Sequence, residues 1–476
     1  MLKHIINNEI LDHIKSLRFM LTFILLFLLM TISAFLYIPE YNQKIDDFMQ
    51  NRNKTLAQFS DRASQRAGLF FVFSFNYNGP WIYKTPNHLS FISEGQDENL
   101  PNAFQPSAFK VYGPSKRIRS NILLWRINAL DWALIIGFVL SFTSLILVYD
   151  RISGERENGT LRLYLSNPVS RSIVLLGKFL GGFACLSISL LISMLMHIII
   201  LLLFGNIPFA SVEWIIIGIA FLVSLLYISV FLMLGLFISS RTKESATSLV
   251  VALLCWAMFV IVIPRTGGLI ASQISQIPTG SKAYGDANKQ QREARESYDK
   301  ENPEVANAGL SGHWSPGEPL GRALAISDAW SEVMDDYRNQ MINQVELART
   351  ITLMSPYSCF SQFLEKLAES GIAHYKSFFD QVRDYKLTMR EHLLDIYPLP
   401  LKWNGWNESM RTVEYEKARQ KMLQSIDFDS IPKFEEKRTG FIKILSSALI
   451  YFLLLILFNI LFFAGAFVSF IKYDVR

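Results

Sequence analysis

Long runs of apolar residues with almost no charge divide this sequence of 476 residues. Each run reaches about 20 residues, the length that a helix needs to cross the hydrocarbon core of a bilayer. Polar sequence of ordinary composition separates the runs. The pattern predicts an α-helical polytopic membrane protein with six transmembrane helices, at Phe19–Ile38, Trp132–Tyr149, Ile173–Phe204, Trp214–Ser239, Ala246–Ile263 and Phe441–Ile471.

Two long insertions between the spans, residues 39–131 and 264–440, are polar enough to fold outside the bilayer. The first continues the first span as a helix and then shows strand composition at Leu69–Asn76 and Trp81–Tyr83. It therefore predicts a small mixed α/β outer insertion. The second predicts a larger, mainly helical outer insertion, with candidate helices at Leu269–Asp299, Pro319–Met354, Cys359–Tyr397 and near Ser409–Ser425.

Lys and Arg in the short connections predict which way the spans run. Basic residues occur in the N-terminal segment, in the loop 150–172 and between the fourth and fifth spans, whereas Gly205–Glu213 contains none. The positive-inside rule therefore places both termini and the loop 150–172 in the cytoplasm. The two insertions then face the periplasm or the extracellular space.

Residues 1–18 form an amphipathic segment before the first span. Ile6, Ile10, Ile14 and Leu17 recur at helical spacing, with charged residues between them. This pattern predicts an interfacial amphipathic helix, and the alternative is a simple continuation of the first span. The span itself is expected to be an uncleaved anchor, because its apolar run is longer than a usual signal-peptide core.

Composition narrows the class of function. A net charge of +5 without a basic stripe does not indicate a nucleic-acid partner. Of the three cysteines only Cys359 lies outside the apolar runs, so neither an intrachain disulfide in the insertions nor a zinc site is predicted. The sequence also has no Gly-x-x-x-x-Gly-Lys-Ser/Thr motif for binding nucleotide phosphates.

His197 is an ionisable residue within the third predicted span, which makes it a possible intramembrane polar site. The alternative is that it packs near the outer end of that span. The sequence shows no His-Glu-x-x-His motif and no clustered His, Asp or Glu in the spans. We therefore predict no catalytic residues and no metal site.

The loop 150–172 carries the main functional signal. Glu155 and Glu157 open a possible short helix, where acidic side chains suit the helix dipole. Gly154 and Gly159 interrupt the loop, and Asn167-Pro168 ends the amphipathic stretch that follows. The sequence predicts a short amphipathic element tied to two spans, whereas the simpler alternative is an ordinary charged connection.

These residues resemble the signature of type-2 ABC transporter permeases. The signature comprises Glu155-Arg156-Glu157, Gly159-Thr160-Leu161, the pair Leu163 and Leu165, Pro168-Val169-Ser170-Arg171 and Gly177-Lys178. The connection 239–247 is also similar to that family, and the resemblance extends over nearly the whole chain. It points to a subgroup with long insertions after the first span and before the last, although Phe91–Glu94 departs from the small apolar residues expected before Gly95.

The resemblance implies a coupling helix that docks on a separate ATPase subunit. It implies a non-catalytic permease subunit that binds no cofactor directly, with ATP and Mg on two copies of the ATPase. It also implies a second permease chain, as homodimer or heterodimer, in a bacterial inner membrane, with export as the expected direction. The residues it implies for ATPase coupling are Glu155, Glu157, Gly159, Thr160, Leu161 and Arg171.

Two other functions remain open from the sequence. A permease of this kind can act mechanically on an extracytoplasmic partner without moving cargo across the membrane. An intramembrane enzyme is the second alternative, although the spans lack the clustered polar residues that such chemistry needs. The substrate is not encoded in any motif of the sequence.

Overall fold

The computed structural model describes residues 2–65, 79–95, 97–113, 130–161, 170–205, 207–303, 319–396, 413, 417, 420 and 424–471. Within these residues, six helical segments are long and apolar enough to cross a membrane. The predicted helical polytopic architecture is therefore confirmed, and the chain is a multi-pass membrane protein.

An elbow joins the first two helices. Helix α1 comprises Leu2–Lys15 and α2 comprises Leu17–Ser64. Ser16 lies between them in an extended conformation, and its hydroxyl accepts a hydrogen bond from the Phe19 amide at 3.2 Å, which caps α2. Helix α2 is 48 residues long and continues past Pro39 without a break. At about 1.5 Å per residue it is much longer than one bilayer is thick.

The other spans and the short helix α4 follow in chain order. π-Helical segments interrupt two of the spans; the Tyr227 hydroxyl, for example, donates to the Gly137 carbonyl within the first such segment at 2.8 Å. The elements are α3 (Trp132–Leu134, π-helical Ile135–Leu140, Ser141–Val148), α4 (Ser153–Glu157), α5 (Arg171–Phe204), α6 (Ser211–Arg241), α7 (Ser245–Ala257, π-helical Met258–Val262, Ile263–Ile274) and α12 (Phe441–Ile471).

The first insertion contains a small antiparallel sheet in the order β1-β2-β3. Ile82 pairs with Phe104 between the first two strands. The predicted strand Leu69–Asn76 lies outside the described residues. The sheet consists of β1 (Ile82–Tyr83), β2 (Ala103–Pro106) and β3 (Val111–Tyr112), and a 3₁₀ turn covers Asp97–Asn99.

The described part of the second insertion is helical, but two of its predicted helices are divided. The expected helix Leu269–Asp299 is interrupted at 275–279, where Thr279 caps a new helix. The expected helix Cys359–Tyr397 is interrupted at 368–370, before Gly371 at φ +70°. The helices are α8 (Gly280–Glu301), α9 (Leu320–Ile351, then 3₁₀ Thr352–Met354), α10 (Pro356–Leu367) and α11 (Gly371–Ile396). The expected helix near Ser409–Ser425 falls almost entirely outside the described residues.

Two apolar cores organise these elements. The first lies among the spans and includes α10, where the Phe360 ring stacks on Tyr227 with centroids 4.3 Å apart. The second combines the strands with α9, α11 and the far end of α2, so that Phe59 and Phe378 belong to the same cluster. Helix α2 therefore contributes side chains to both cores.

Candidate functional site: the α4 turn

The residues that follow the second span, α3, form a compact turn before the third span, α5. We call it the α4 turn (residues 150–161). Helix α4 is only five residues long, and the chain leaves it through Gly159 at φ +72°. This left-handed conformation suits glycine because it has no Cβ. Leu161 then returns into the first core and is only 1% exposed. The turn is thus fixed at both ends and projects between them.

Helix α6 caps the start of the α4 turn. The Ser239 hydroxyl accepts hydrogen bonds from the amides of Ile152 and Ser153 at 3.1 and 3.0 Å. These amides begin α4 and have no partner inside that helix. The Arg156 guanidinium also donates to the carbonyls of Thr242 and Ser240, at 2.7 and 3.2 Å. The end of α6 therefore contributes to the position of α4.

Glu157 connects the α4 turn to the next span, α7. Its carboxylate accepts from the Ser245 amide at 3.0 Å and from the Ser245 hydroxyl at 2.8 Å. Ser245 is the first residue of α7, where a negative charge is favoured by unpaired amides and the helix dipole. The predicted coupling residue Glu157 thus makes a structural contact at the start of a span.

Glu155 turns inward rather than toward solvent. Its carboxylate accepts a hydrogen bond from the Lys178 ammonium of α5 at 2.5 Å, and Lys178 also donates to Glu9 of α1 at 2.9 Å. The Lys178 side chain is 1% exposed. A buried ammonium is retained in an apolar setting only when carboxylates compensate its charge. One lysine therefore joins α1, α4 and α5.

Arg151 and His13 complete this buried cluster. The Arg151 guanidinium donates to Glu9 at 3.3 Å and to Nδ1 of His13 at 3.0 Å. Burial, together with the neighbouring Arg151 charge, lowers the pKa of His13 to about 4. Burial alone would raise the pKa of Glu9, but Lys178 and Arg151 hold it below its ordinary value. His13 is therefore neutral and Glu9 is ionised near neutral pH.

The tip of the α4 turn is the part that faces outward. Asn158, Gly159 and Thr160 are all exposed, and the Thr160 hydroxyl donates back to the Glu155 carbonyl at 3.2 Å. Arg171 lies apart from the tip and donates to the Ile471 carbonyl at the end of α12 at 2.6 Å. The structure thus brings five of the six predicted coupling residues into one turn. Their part in ATPase coupling stays a prediction.

His197 lies at the opposite end of the bundle. It is completely buried, and its Nδ1 donates to the Met30 carbonyl of α2 at 2.9 Å. Its ring packs against Phe91 and Trp132, each with a centroid 5.4 Å away. The contacts are those of a packed and hydrogen-bonded core residue, and a polar function for His197 stays a prediction.

Sequence reasoning missed the contribution of α1 to the site. The helix buries Ile5, Glu9 and His13, whereas Ile14 and Leu17 of the predicted apolar row are more than half exposed. The spacing of four residues between the buried positions was visible in the sequence. The partner surface, which includes Lys178, was not visible because it comes from a distant part of the chain.

Comparison with known proteins decides the family. A family model described as an ABC-2 family transporter protein matches residues 4–475. The chain belongs to the ABC-2 transporter family. The match covers the α4 turn, the spans and both insertions, so the resemblance seen in the sequence of the turn is confirmed for nearly the whole chain.

Individual relatives of this ABC-2 family member match a shorter stretch. A protein named probable ABC transporter permease protein NosY from Stutzerimonas stutzeri is 34% identical over 126 residues, which covers 26% of this chain and 45% of the relative. The protein of the same name from Pseudomonas aeruginosa is 36% identical over 137 residues, with the same coverage. The chain thus spans about half the length of the curated relatives it matches.

Proposed function

We propose that this chain is the membrane-spanning permease subunit of an ATP-driven ABC transporter. ATP and Mg would be bound and hydrolysed by separate ATPase subunits, and this chain would be non-catalytic. Membership of the ABC-2 family supports the proposal, as do the relatives that carry the name of ABC transporter permeases. The absence of a phosphate-binding Gly-rich motif from the sequence agrees with a separate ATPase.

The observation that carries the proposal is the anchoring of the α4 turn. It continues from α3, pairs with α5 through Glu155 and Lys178, is capped by α6 through Ser239 and binds the start of α7 through Glu157. Its exposed tip would receive the ATPase. A push on a turn with so many fixed contacts moves the attached spans together, because close-packed interfaces do not deform continuously.

We place the α4 turn and both chain termini in the cytoplasm, on the strength of the basic residues in the short connections. The two insertions then lie outside the inner membrane of a bacterium. The assembly would contain two ATPase subunits and a second permease chain, identical or related, as is usual for closed symmetric complexes. Outward movement of cargo is the direction we propose.

Mechanical action on an outer partner is the second candidate, and one observation favours it. Helix α2 runs without a break from the α1 elbow to the core of the insertions, where Phe59 and Ala63 are buried. The Ala63 carbonyl also accepts a hydrogen bond from the Ile426 amide at 2.9 Å. A continuous helix of this length would carry motion from the spans to the insertions.

Copurification with an ATPase tests the central proposal. The chain is expressed with a candidate ABC ATPase, and the ATPase retained on the purified chain is measured together with ATP hydrolysis. Gly159→Pro should release the ATPase, because proline cannot adopt φ +72°. Gly218→Ala is the matched control, since a Cβ there meets nothing within 4 Å. A complex that tolerates both variants equally would overturn the assignment of the turn.

Sealed vesicles separate export from mechanical action. Inside-out vesicles that contain the complex are energised with ATP, and accumulation of candidate cargo is measured. Cargo that accumulates only with ATP supports export. Nucleotide-dependent movement of α2 and the insertions relative to the other spans, without any accumulation, supports the mechanical candidate instead.

A further inference from the structure

The pair Gly177-Lys178 belongs to the sequence signature. The structure places this pair at the junction of α4 and α5 with α1, which is far from both in sequence. Lys178 projects between Glu9 of α1 and Glu155 of α4 and is almost fully buried. The lysine is therefore not a docking residue, since no ATPase could reach its ammonium while the junction is closed.

Glycines of α5 make the close approach of α1 possible. A Cβ on Gly177 would lie 2.5 Å from Cγ2 of Ile5, and a Cβ on Gly181 would lie 2.5 Å from Cβ of Glu9. Such distances are much shorter than a normal carbon contact. Helix α1 therefore rests directly on the backbone of α5, and this contact brings the Glu9 carboxylate within reach of Lys178.

The charges of the cluster are balanced. Lys178 and Arg151 face Glu9 and Glu155, and His13 is a neutral acceptor for Arg151. Removal of one member of a buried ion pair leaves its partner uncompensated, which is strongly unfavourable. Because Lys178 is shared by α1 and α4, the position of α4 depends on the presence of α1.

We propose that Lys178 and Glu9 are positioning residues for the α4 turn, and that α1 is thereby a working part of the coupling apparatus. The inference rests on the proposed function, because it concerns how the ATPase-binding turn is held. Helix α1, α4 and the adjoining part of α5 move as one body. The ATPase would bind a turn whose geometry is fixed by Lys178 and, through the Lys178–Glu9 ion pair, by α1.

A distance measurement on the full chain alone tests the positioning. Spin labels are attached at Asn8→Cys and Asn158→Cys, two exposed positions on α1 and the α4 turn, in a background with Cys185, Cys255 and Cys359 replaced by alanine. Lys178→Met should broaden the distance distribution and shift its mean. Lys15→Met, an exposed lysine of α1, is the matched control and should change neither. An unchanged distribution for Lys178→Met overturns the inference.

ATPase titration tests whether the positioning matters for coupling. Lys178→Met should weaken the apparent affinity for the ATPase by about tenfold or more, whereas the maximal hydrolysis rate at saturating ATPase stays near that of the unchanged chain. Damage to the general fold would instead lower the maximum and leave the affinity unchanged. That result, or equal affinity for Lys178→Met and Lys15→Met, overturns the inference.

A milder variant covers the case in which Lys178→Met does not fold. Glu9→Gln keeps the Lys178–Glu155 pair and removes only the charge that α1 contributes. It should broaden the same distance distribution and weaken ATPase binding relative to the unchanged chain, and an effect on neither would overturn the role of α1. If the unchanged chain binds no ATPase while the distances still respond, the proposed function fails and only the structural link between α1 and α4 survives.

Discussion

The two ends of the helical bundle have different centres, with buried charges at one end and packed aromatic rings at the other. At one end, the α4 turn is held by side-chain hydrogen bonds and by the buried charges around Lys178. At the other end, the loop 87–95 enters between the spans with the aromatic side chain of Phe91 at its tip. Phe91 is 1% exposed, and its ring packs against four others, those of Tyr37, Trp132, His197 and Phe209.

Backbone pairing reinforces the loop at this second end. The amides of Trp132 and Ala133 at the start of α3 donate to the carbonyls of Phe91 and Ile92, at 2.9 and 3.0 Å. The loop thus caps a span with its own backbone, whereas α4 is capped by a side chain of a neighbouring span. We infer that the α4 end depends on individual polar groups, and that the loop end depends on the volume it fills.

The largest effect is expected at the loop end. Phe91→Ala should lower the free energy of unfolding by about 3–5 kcal/mol, because it leaves a cavity among packed rings. Denaturant titration in detergent, followed by tryptophan fluorescence, measures the change, and Trp132 lies beside the cavity. Phe35→Ala is the control, since that ring is 51% exposed on the lipid-facing side of α2. Equal losses in both variants would contradict the dependence on volume.

The next effect is expected at the α4 end. Ser239→Ala removes the acceptor of two amides at the start of α4, and the free energy of unfolding should fall by about 1–3 kcal/mol. Amide hydrogen exchange at Ile152 and Ser153 should accelerate. Ser240→Ala provides the comparison, because that hydroxyl donates only to Phe237 in its own helix, at 2.7 Å. If exchange accelerates equally in both, Ser239 is not the cap.

A glycine substitution at the loop end should lower the free energy of unfolding by a similar or smaller amount. Gly95 lies at φ +58°, and a Cβ there would stand 3.0 Å from the carboxyl carbon of Glu365. Gly95→Ala should therefore cost about 1–2 kcal/mol in unfolding free energy. Gly218→Ala in α6 should instead be neutral or stabilising, by up to about 1 kcal/mol. Thermal denaturation of both variants checks the difference in sign.

The smallest effect concerns the segment that leads into α12. Burial would raise the pKa of Glu436, but hydrogen bonds from His374 and from the Thr85 amide bring it below the ordinary value of 4.5. A lowered folded-state pKa contributes stability above the unfolded-state value, and this stability is lost as pH falls through the folded-state value.

Acidification below about pH 4.5 should therefore loosen this contact. Hydrogen exchange at the Thr85 amide, corrected for its intrinsic pH dependence, should accelerate in that range. Glu436→Gln should remove the pH dependence at Thr85 while exchange in the β1-β2-β3 sheet stays the same. Persistence of the same pH dependence in Glu436→Gln would assign it to another group.

Most of the membrane architecture could be predicted from the sequence, because apolar runs of bilayer length have few alternatives to spanning helices. The signature residues of the α4 turn also lie together, since they are close in sequence. The divisions of the expected helices Leu269–Asp299 and Cys359–Tyr397 were not predicted. Local residues mark both breaks: Pro278 and the capping residue Thr279 at the first, and the left-handed Gly371 at the second.

The sequence by itself determined the apolar runs of the six candidate spans and the residues of the family signature. Tertiary structure alone decided which face of α1 is buried and which partners Lys178 has. Glu9 is far from Glu155 and Lys178 along the chain, and no periodicity relates the three residues. Their pairing depends on the close contact of α1 with Gly177 and Gly181, a property of packed helix surfaces that no single segment contains.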